Sequence, residues 1–171
     1  MVLAIFFVVG IDVGINATSG QFLLIKIHTS VETAQEGRSL YFFGKMLGTF
    51  IGTFLLIRFS SSKFLLASSI ATFLTALLFI FSFSPLFAQI IMFLIGLSAS
   101  NIFPLIFSLT VKEYPERANE ISGLMIMAVS GGAIIPFIVG VIADIFNIRT
   151  GMYVFVFCSL YLIFVSLYLF N

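Results

Sequence analysis

The sequence predicts an all-α integral membrane protein whose six transmembrane helices form a 3+3 inverted repeat. Three observations lead there. Residues that are hydrophobic make up 61% of the 171-residue chain and charged ones only 9%, too little polar surface to coat a water-soluble domain of this size. The apolar residues fall into six stretches, each near the roughly 20 helical residues that cross a hydrocarbon core of about 30 Å. Of the 15 charged residues, all but Asp12 and Lys45 lie at the edges of those stretches. The stretches show no period-2 alternation, so a porin-like barrel is excluded and helices are the spanning structure that satisfies the backbone.

The first span is Val2 to Ile25. Met1 leads into it with no basic segment, which argues for a retained span and not a cleaved signal peptide. It is rich in small and polar residues: Gly10, Asp12, Gly14, Asn16, Thr18, Ser19, Gly20 and Gln21. The longest connection, Lys26 to Ser39, follows and holds His28, which has no His, Cys or carboxylate at ligand spacing; no metal site is expected. The second span, Leu40 to Ile57, has Lys45 in its first turns, where the stem reaches toward the interface, and a Gly44, Gly48, Gly52 stripe. Such stripes, like Gly10 with Gly14, let helices approach closely.

A Ser60 to Ser62 turn leads into the third span, Phe64 to Phe83, and an uncharged turn at Pro85 into the fourth, Leu86 to Val111. Gly96, Ser98, Ser100, Asn101 and Pro104 interrupt that fourth run. After the charged Lys112 to Glu120 loop comes the fifth span, Ile121 to Ala143, with Gly131, Gly132, Pro136 and Gly140 expected at packing contacts, as is Pro104. The sixth, Met152 to Phe170, encloses the lone Cys158, read as a core residue without redox meaning.

A cut at Pro85 leaves a first triplet of helices, 1–84, and a second, 85–171. Three is odd, so the second triplet enters the membrane with inverted topology. The first span of each triplet carries the polar interruptions, and discontinuous helices in matching positions point to a midplane binding site. Both termini share a side with Arg58, Lys63, Lys112 and Arg117, against Lys26, Arg38 and Arg149 opposite, which places the termini in the cytoplasm.

Asp12, Asn16 and Ser19, spaced i, i+4 and i+7, stack a carboxylate, an amide and a hydroxyl on one helical face. A carboxylate at the centre of a membrane helix costs about 2.5 to 3.5 kcal/mol on insertion scales, and such residues face a cavity, a partner or a proton path. Asp12 therefore either serves function or pairs structurally with Lys45. Ser98, Asn101 and Ser108 share a face of the fourth span, where an amide suits sugar hydroxyls or interhelical bonding equally. The expected solute pathway is thus Asp12, Asn16, Ser19, Asn101 and Lys45. No phosphate loop, nucleophile elbow or zinc-helix motif is present, so neither an enzyme nor a cofactor is expected. A net charge of +1 with no basic cluster leaves nothing to bind nucleic acid. Asn16-Ala17-Thr18 has the form of a glycosylation sequon, but no transferase reaches it inside a span.

The strings NIFPLIFSL (101–109) and SGLMIMAVSGGAIIPFIVGVIAD (122–144), with FFVVGIDVGIN (6–16), resemble the second half of a major facilitator superfamily sugar transporter of the fucose permease and glucose/galactose porter type. The resemblance covers essentially the whole chain. It implies six helices of a twelve-helix fold, with the first and fourth spans lining a central cavity and Asp12 at a position where the family commonly has an acidic residue. It also implies a proton-coupled sugar symporter in a bacterial inner membrane, whose partners are lipid, a sugar with a proton, and a missing N-terminal six-helix half or a second copy. Two departures stand out. Gly48-Thr49-Phe50-Ile51-Gly52 lacks the basic residue of the family's GRFxG-like string, and Ala99 replaces a frequent Asn two places before Asn101. A non-transporting half-size protein kept for assembly or regulation is the alternative expectation.

Overall fold

The structure, a computed structural model, describes residues 1–170; position 171, the expected end of the second triplet, lies outside the described residues. Six helical units long and apolar enough to cross a membrane run Val2–Lys26, Val31–Arg58, Ser61–Ile80, Pro85–Glu113, Pro115–Ile145 and Ile148–Leu169. Among the described residues there is no strand. The helices are α1 (Val2–Lys26), α2 (Val31–Arg58), α3 (Ser61–Ile80), α4 (Pro85–Ala99), α5 (Ile102–Glu113), α6 (Ala118–Ala128), α7 (Gly131–Ile145) and α8 (Ile148–Phe170), with a 3₁₀ turn at Pro115–Arg117 before α6.

Two expectations about the second span are corrected. The Lys26 to Ser39 connection is not a long loop: Ser30 Oγ accepts the Thr33 N–H at 3.2 Å, an N-cap that starts α2 at Val31. Lys45 consequently sits at the middle of a 28-residue helix and not in its first turns. His28 remains in the short exposed turn that is left, with φ 55°.

The first span, expected to be broken, is one continuous helix. It contains no proline, and two of its polar side chains, Thr18 and Asn16, turn back on its own carbonyls. Thr18 Oγ1 donates to Gly14 O at 2.8 Å and Asn16 Nδ2 to Asp12 O at 2.9 Å, which satisfies these two donors without disrupting the helix.

The fourth span is broken as expected, at Ser100–Asn101. Pro104 has no N–H for the Ser100 carbonyl one turn before it, and its ring crowds that oxygen. The fifth span is broken as well, at Val129–Ser130, upstream of Pro136 inside α7. Bonds of the i to i+3 kind, Val129 N to Ile126 O and Ser130 N to Met127 O at 3.1 Å, tighten the chain there.

Two parallel helix pairs built on glycine form the frame. On α2 a Cβ at Gly44 would strike the Phe93 carbonyl oxygen, at Gly48 the Leu97 carbonyl oxygen and at Gly52 the Asn101 carboxamide. The contacts advance four residues at a time on both chains, so α2 and α4 lie parallel with backbones touching. On α1 a Cβ at Gly10 would strike Ile135, while one at Gly131 would meet the Phe6 carbonyl oxygen, pairing α1 with α7. Gly14 is pressed against Phe155 and Gly132 against Val9 and Val13. Gly140, expected at a packing contact, faces open space: nothing lies within 4 Å of where its Cβ would be.

Exchanging spans one, two and three for four, five and six turns the α2/α4 pair into α7/α1, and α1/α8 into α4/α3. The α3/α8 pair maps onto itself and is stitched by hydroxyls, with Ser69 Oγ and Ser166 Oγ 2.9 Å apart. The exchange is imperfect, since α7 packs on α8 whereas α2 and α3 barely touch. Cys158 is buried in this core. Phe83, Phe157 and Phe164 are exposed, a surface for lipid and not for water.

Candidate functional site

Two residues one turn apart on α2 and one residue near the middle of α1 make the charged centre of the molecule. Tyr41 and Lys45, at i and i+4, project from the same face, and Asp12 meets both. The Tyr41 hydroxyl donates to Asp12 Oδ1, and Lys45 Nζ lies 2.5 Å from Asp12 Oδ2. Tyr41 is 0% exposed. The Asp12 and Lys45 side chains are 31% and 34% exposed, so the pair is held from beneath and open above.

What it opens onto is a cleft of about 220 Å³. Val8, Val9 and Asp12 of α1 form one wall, Lys45 of α2 another, and the joint between α4 and α5 the third, with Ala99, Ser100, Phe103 and Pro104. Pro104, expected at a helix-packing contact, is among the residues that line this cleft. Ser100 Oγ is already engaged, donating to Leu97 O at 2.9 Å. The free chemistry of the cleft is therefore a carboxylate, an ammonium and an aromatic wall. Such a set can hold a neutral polyhydroxylated ring, with the ammonium donating to its oxygens, the carboxylate accepting from its hydroxyls, and the C–H face against Phe103. The cluster is electrically balanced, which lowers the cost of keeping it at membrane depth.

Of the five expected pathway residues, the structure brings Asp12 and Lys45 together in the cleft. Asn101 lies beside it, 6% exposed, with Nδ2 donating to Gly48 O at 2.8 Å and to Ser100 Oγ at 2.9 Å; it fastens the α4–α5 joint to α2. Asn16 and Ser19 lie below Asp12 on α1, away from the cleft lining. Tyr41 and Phe103 were not expected. The signal for Tyr41 was its place one turn before Lys45, a phenol inside an apolar run whose hydroxyl requires a partner. Phe103 gave no signal among 23 phenylalanines.

Comparisons with known proteins agree with this architecture. The sequence profile described as Major Facilitator Superfamily matches residues 2–171. The Brucella abortus (biovar 1, strain 9-941) glucose/galactose transporter is 29% identical over 170 residues, 96% of this chain and 40% of its own length. A Helicobacter pylori (strain J99) protein is 29% identical over 174 residues, 96% of this chain and 42% of its own. Crystal structures of FucP match in fold. One in the outward conformation has TM-score 0.89 at 24% identity, covering 99% of this chain and 41% of that one. Another, of a variant of the Escherichia coli fucose:proton symporter, has TM-score 0.90 at 23% identity, covering 98% and 41%. The chain spans about two fifths of the length of the curated relatives it matches.

Proposed function

Because the chain belongs to the Major Facilitator Superfamily, we propose that it is the C-terminal six-helix half of a secondary active transporter, a proton-coupled symporter of hexoses or 6-deoxyhexoses. The observation that carries this reading is the Asp12–Tyr41–Lys45 cluster at the mouth of the cleft between α1, α2 and the α4–α5 joint. A buried phenol fixes the carboxylate, and the partly exposed ammonium and carboxylate are free to exchange each other for solute hydroxyls. Relatives described as glucose/galactose transporter and fucose:proton symporter support the solute class and the coupling ion.

The other half of the pathway belongs to a six-helix partner, an N-terminal half or a second copy of this chain, and rocking of the two bundles supplies alternating access. The two triplets, 1–84 and 85–171, are the inverted repeats, supported by the way the helix pairings exchange between them. The protein resides in a bacterial inner membrane with cytoplasmic termini, the side bearing the larger share of basic residues.

The test is hexose and 6-deoxyhexose uptake by the assembled transporter with Asp12→Asn. Uptake is expected to fall sharply while membrane insertion is unchanged. Undiminished uptake removes Asp12 from the mechanism, and absence of uptake by the unaltered protein with any partner leaves the non-transporting half-size role in its place.

A further inference from the structure

Below the cleft, the polar face of α1 continues past Asp12 into the bundle. Asn16 Nδ2 is committed to the Asp12 carbonyl at 2.9 Å, which turns Oδ1 inward, where it is buried and has no protein partner. Ser19, 0% exposed, likewise has an unpartnered Oγ. Thr29 and Ser82, whose hydroxyls are likewise buried without a partner, lie outside the helices. Within helices, Thr18, Thr72, Thr110, Ser98 and Ser166 all donate to a carbonyl of their own helix three or four residues back, whereas the Ser19 hydroxyl makes no such bond.

Two orphaned oxygens on one face, within about 10 Å of helical rise below a carboxylate, cost about 1–3 kcal/mol each unless water reaches them. Beyond Ser19 the same face turns apolar. Phe22 and Leu23 are fully buried, Phe22 against Phe79 and Leu23 beside Gly37 of α2.

We propose that the Asp12–Asn16–Ser19 face is a water-bearing proton path, entered from the cleft at Asp12 and sealed at its far end by Phe22 and Leu23. The inference rests on the symport reading and gives the proton a route that leaves the solute's cleft at Asp12. The Ser19 hydroxyl accepts one hydrogen bond and donates another, so it relays. Asn16 orients water through Oδ1 and does not itself carry the proton. A proton reaching Asp12, from the cleft or along this chain when the far seal opens, converts the carboxylate to the acid, and the Lys45 ammonium, left without its counter-ion, is freed toward the cleft. The charged and titratable groups at Asp12 are Lys45 and Tyr41 of α2. The α4–α5 joint presents Ala99, Ser100, Phe103 and Pro104 there, and α7 and α8 present Gly131, Ile135 and Phe155 to the neighbouring Gly10 and Gly14; none of these titrates. Opening of the Phe22–Leu23 seal exposes Asp12 to the opposite side of the membrane.

The experiment uses the chain in sealed lipid vesicles with aqueous silver ion, a thiol probe that needs water, on one face at a time. The buried native Cys158 is the internal reference. Ser19→Cys is expected to react from the cleft side at least about tenfold faster than Cys158, and Asn16→Leu to abolish that advantage. Adding Leu23→Ala is expected to open reaction from the far side and to speed collapse of a transmembrane pH gradient several-fold, the latter reversed by Asp12→Asn. Ser19→Cys reacting no faster than Cys158 overturns the path outright, without need of the Leu23 variant. A far-side reaction with no proton leak overturns its proton role. Neither readout requires sugar uptake, so failure here is distinct from failure of the transport reading.

Discussion

Gly96 of α4 lies directly against the backbone of Tyr41: a Cβ there would strike the Tyr41 carbonyl oxygen and come within 3.0 Å of the Lys45 backbone nitrogen. One of the closest helix contacts in the molecule thus lies beneath the charged cluster. It fixes both the distance and the rotation of α2, and with them the aim of the Tyr41 hydroxyl and the Lys45 ammonium.

Gly96→Val is expected to destabilise the protein by about 1–3 kcal/mol or more, because the obstructing atoms are backbone and do not yield. Gly140→Ala and Gly123→Ala, where nothing lies within 4 Å of the added carbon, are expected to be neutral or stabilising by about 0.5–1 kcal/mol. Denaturant titration in mixed micelles compares the three. Equal effects at all three positions overturn the packing account.

Asn101→Ala removes the interhelical bond from Nδ2 to Gly48 O and leaves that carbonyl to the bonds of its own helix. Interhelical hydrogen bonds in membranes are worth about 0.6–2 kcal/mol, and a loss in that range is expected in the same titration. An unchanged midpoint would mean that this bond does not fasten the α4–α5 joint to α2.

Asp12→Asn leaves the Lys45 charge unpaired at membrane depth, whereas Asp12→Asn with Lys45→Gln leaves none. The double variant is expected to be more stable than the single one and equally unable to support proton-driven uptake, since removing one partner of an ion pair costs more than removing both. A single variant as stable as the double one would show that the pair contributes nothing to the fold.

Tyr41→Phe keeps the ring and deletes the donor to Asp12 Oδ1. The expected loss is about 1.5–3 kcal/mol for a hydrogen bond to a charged group, with uptake lowered through the loosened carboxylate. Wild-type uptake and stability in this variant would remove Tyr41 as the residue that positions Asp12.

Ser69→Ala and Ser166→Ala delete the two halves of one hydroxyl pair between α3 and α8. Their double-mutant cycle is expected to show coupling of about 0.6–1 kcal/mol. Additive losses would mean that each hydroxyl serves only its own helix, as Ser166 already does toward Leu162 O.

Hydropathy made the six spans and Asp12 and Lys45 legible, because a charge within an apolar run is conspicuous and lipid tolerates few explanations for it. Glycine stripes announced the close helix faces at Gly44, Gly48 and Gly52. The breaks were harder to read. Polar and small residues in span one suggested a discontinuity, yet Thr18 and Asn16 bond back to their own helix and no proline forces a break; in span five, Pro136 was counted as packing and the chain breaks upstream of it. Residue type alone does not reveal whether a polar side chain turns to its own carbonyls or to a neighbour.

The sequence by itself determined the class, the number of spans and the residues whose chemistry is costly in a bilayer, since these follow from transfer energies that each segment carries alone. Only the tertiary structure decided which of those residues meet. Asp12 reaches Tyr41 and Lys45 because the Gly96 contact sets the rotation of α2, and Asn101 goes to Gly48 because the glycine stripe leaves a carbonyl within reach. Partners are a property of how two helices are turned toward each other, and that is fixed by backbone contacts far apart in the chain.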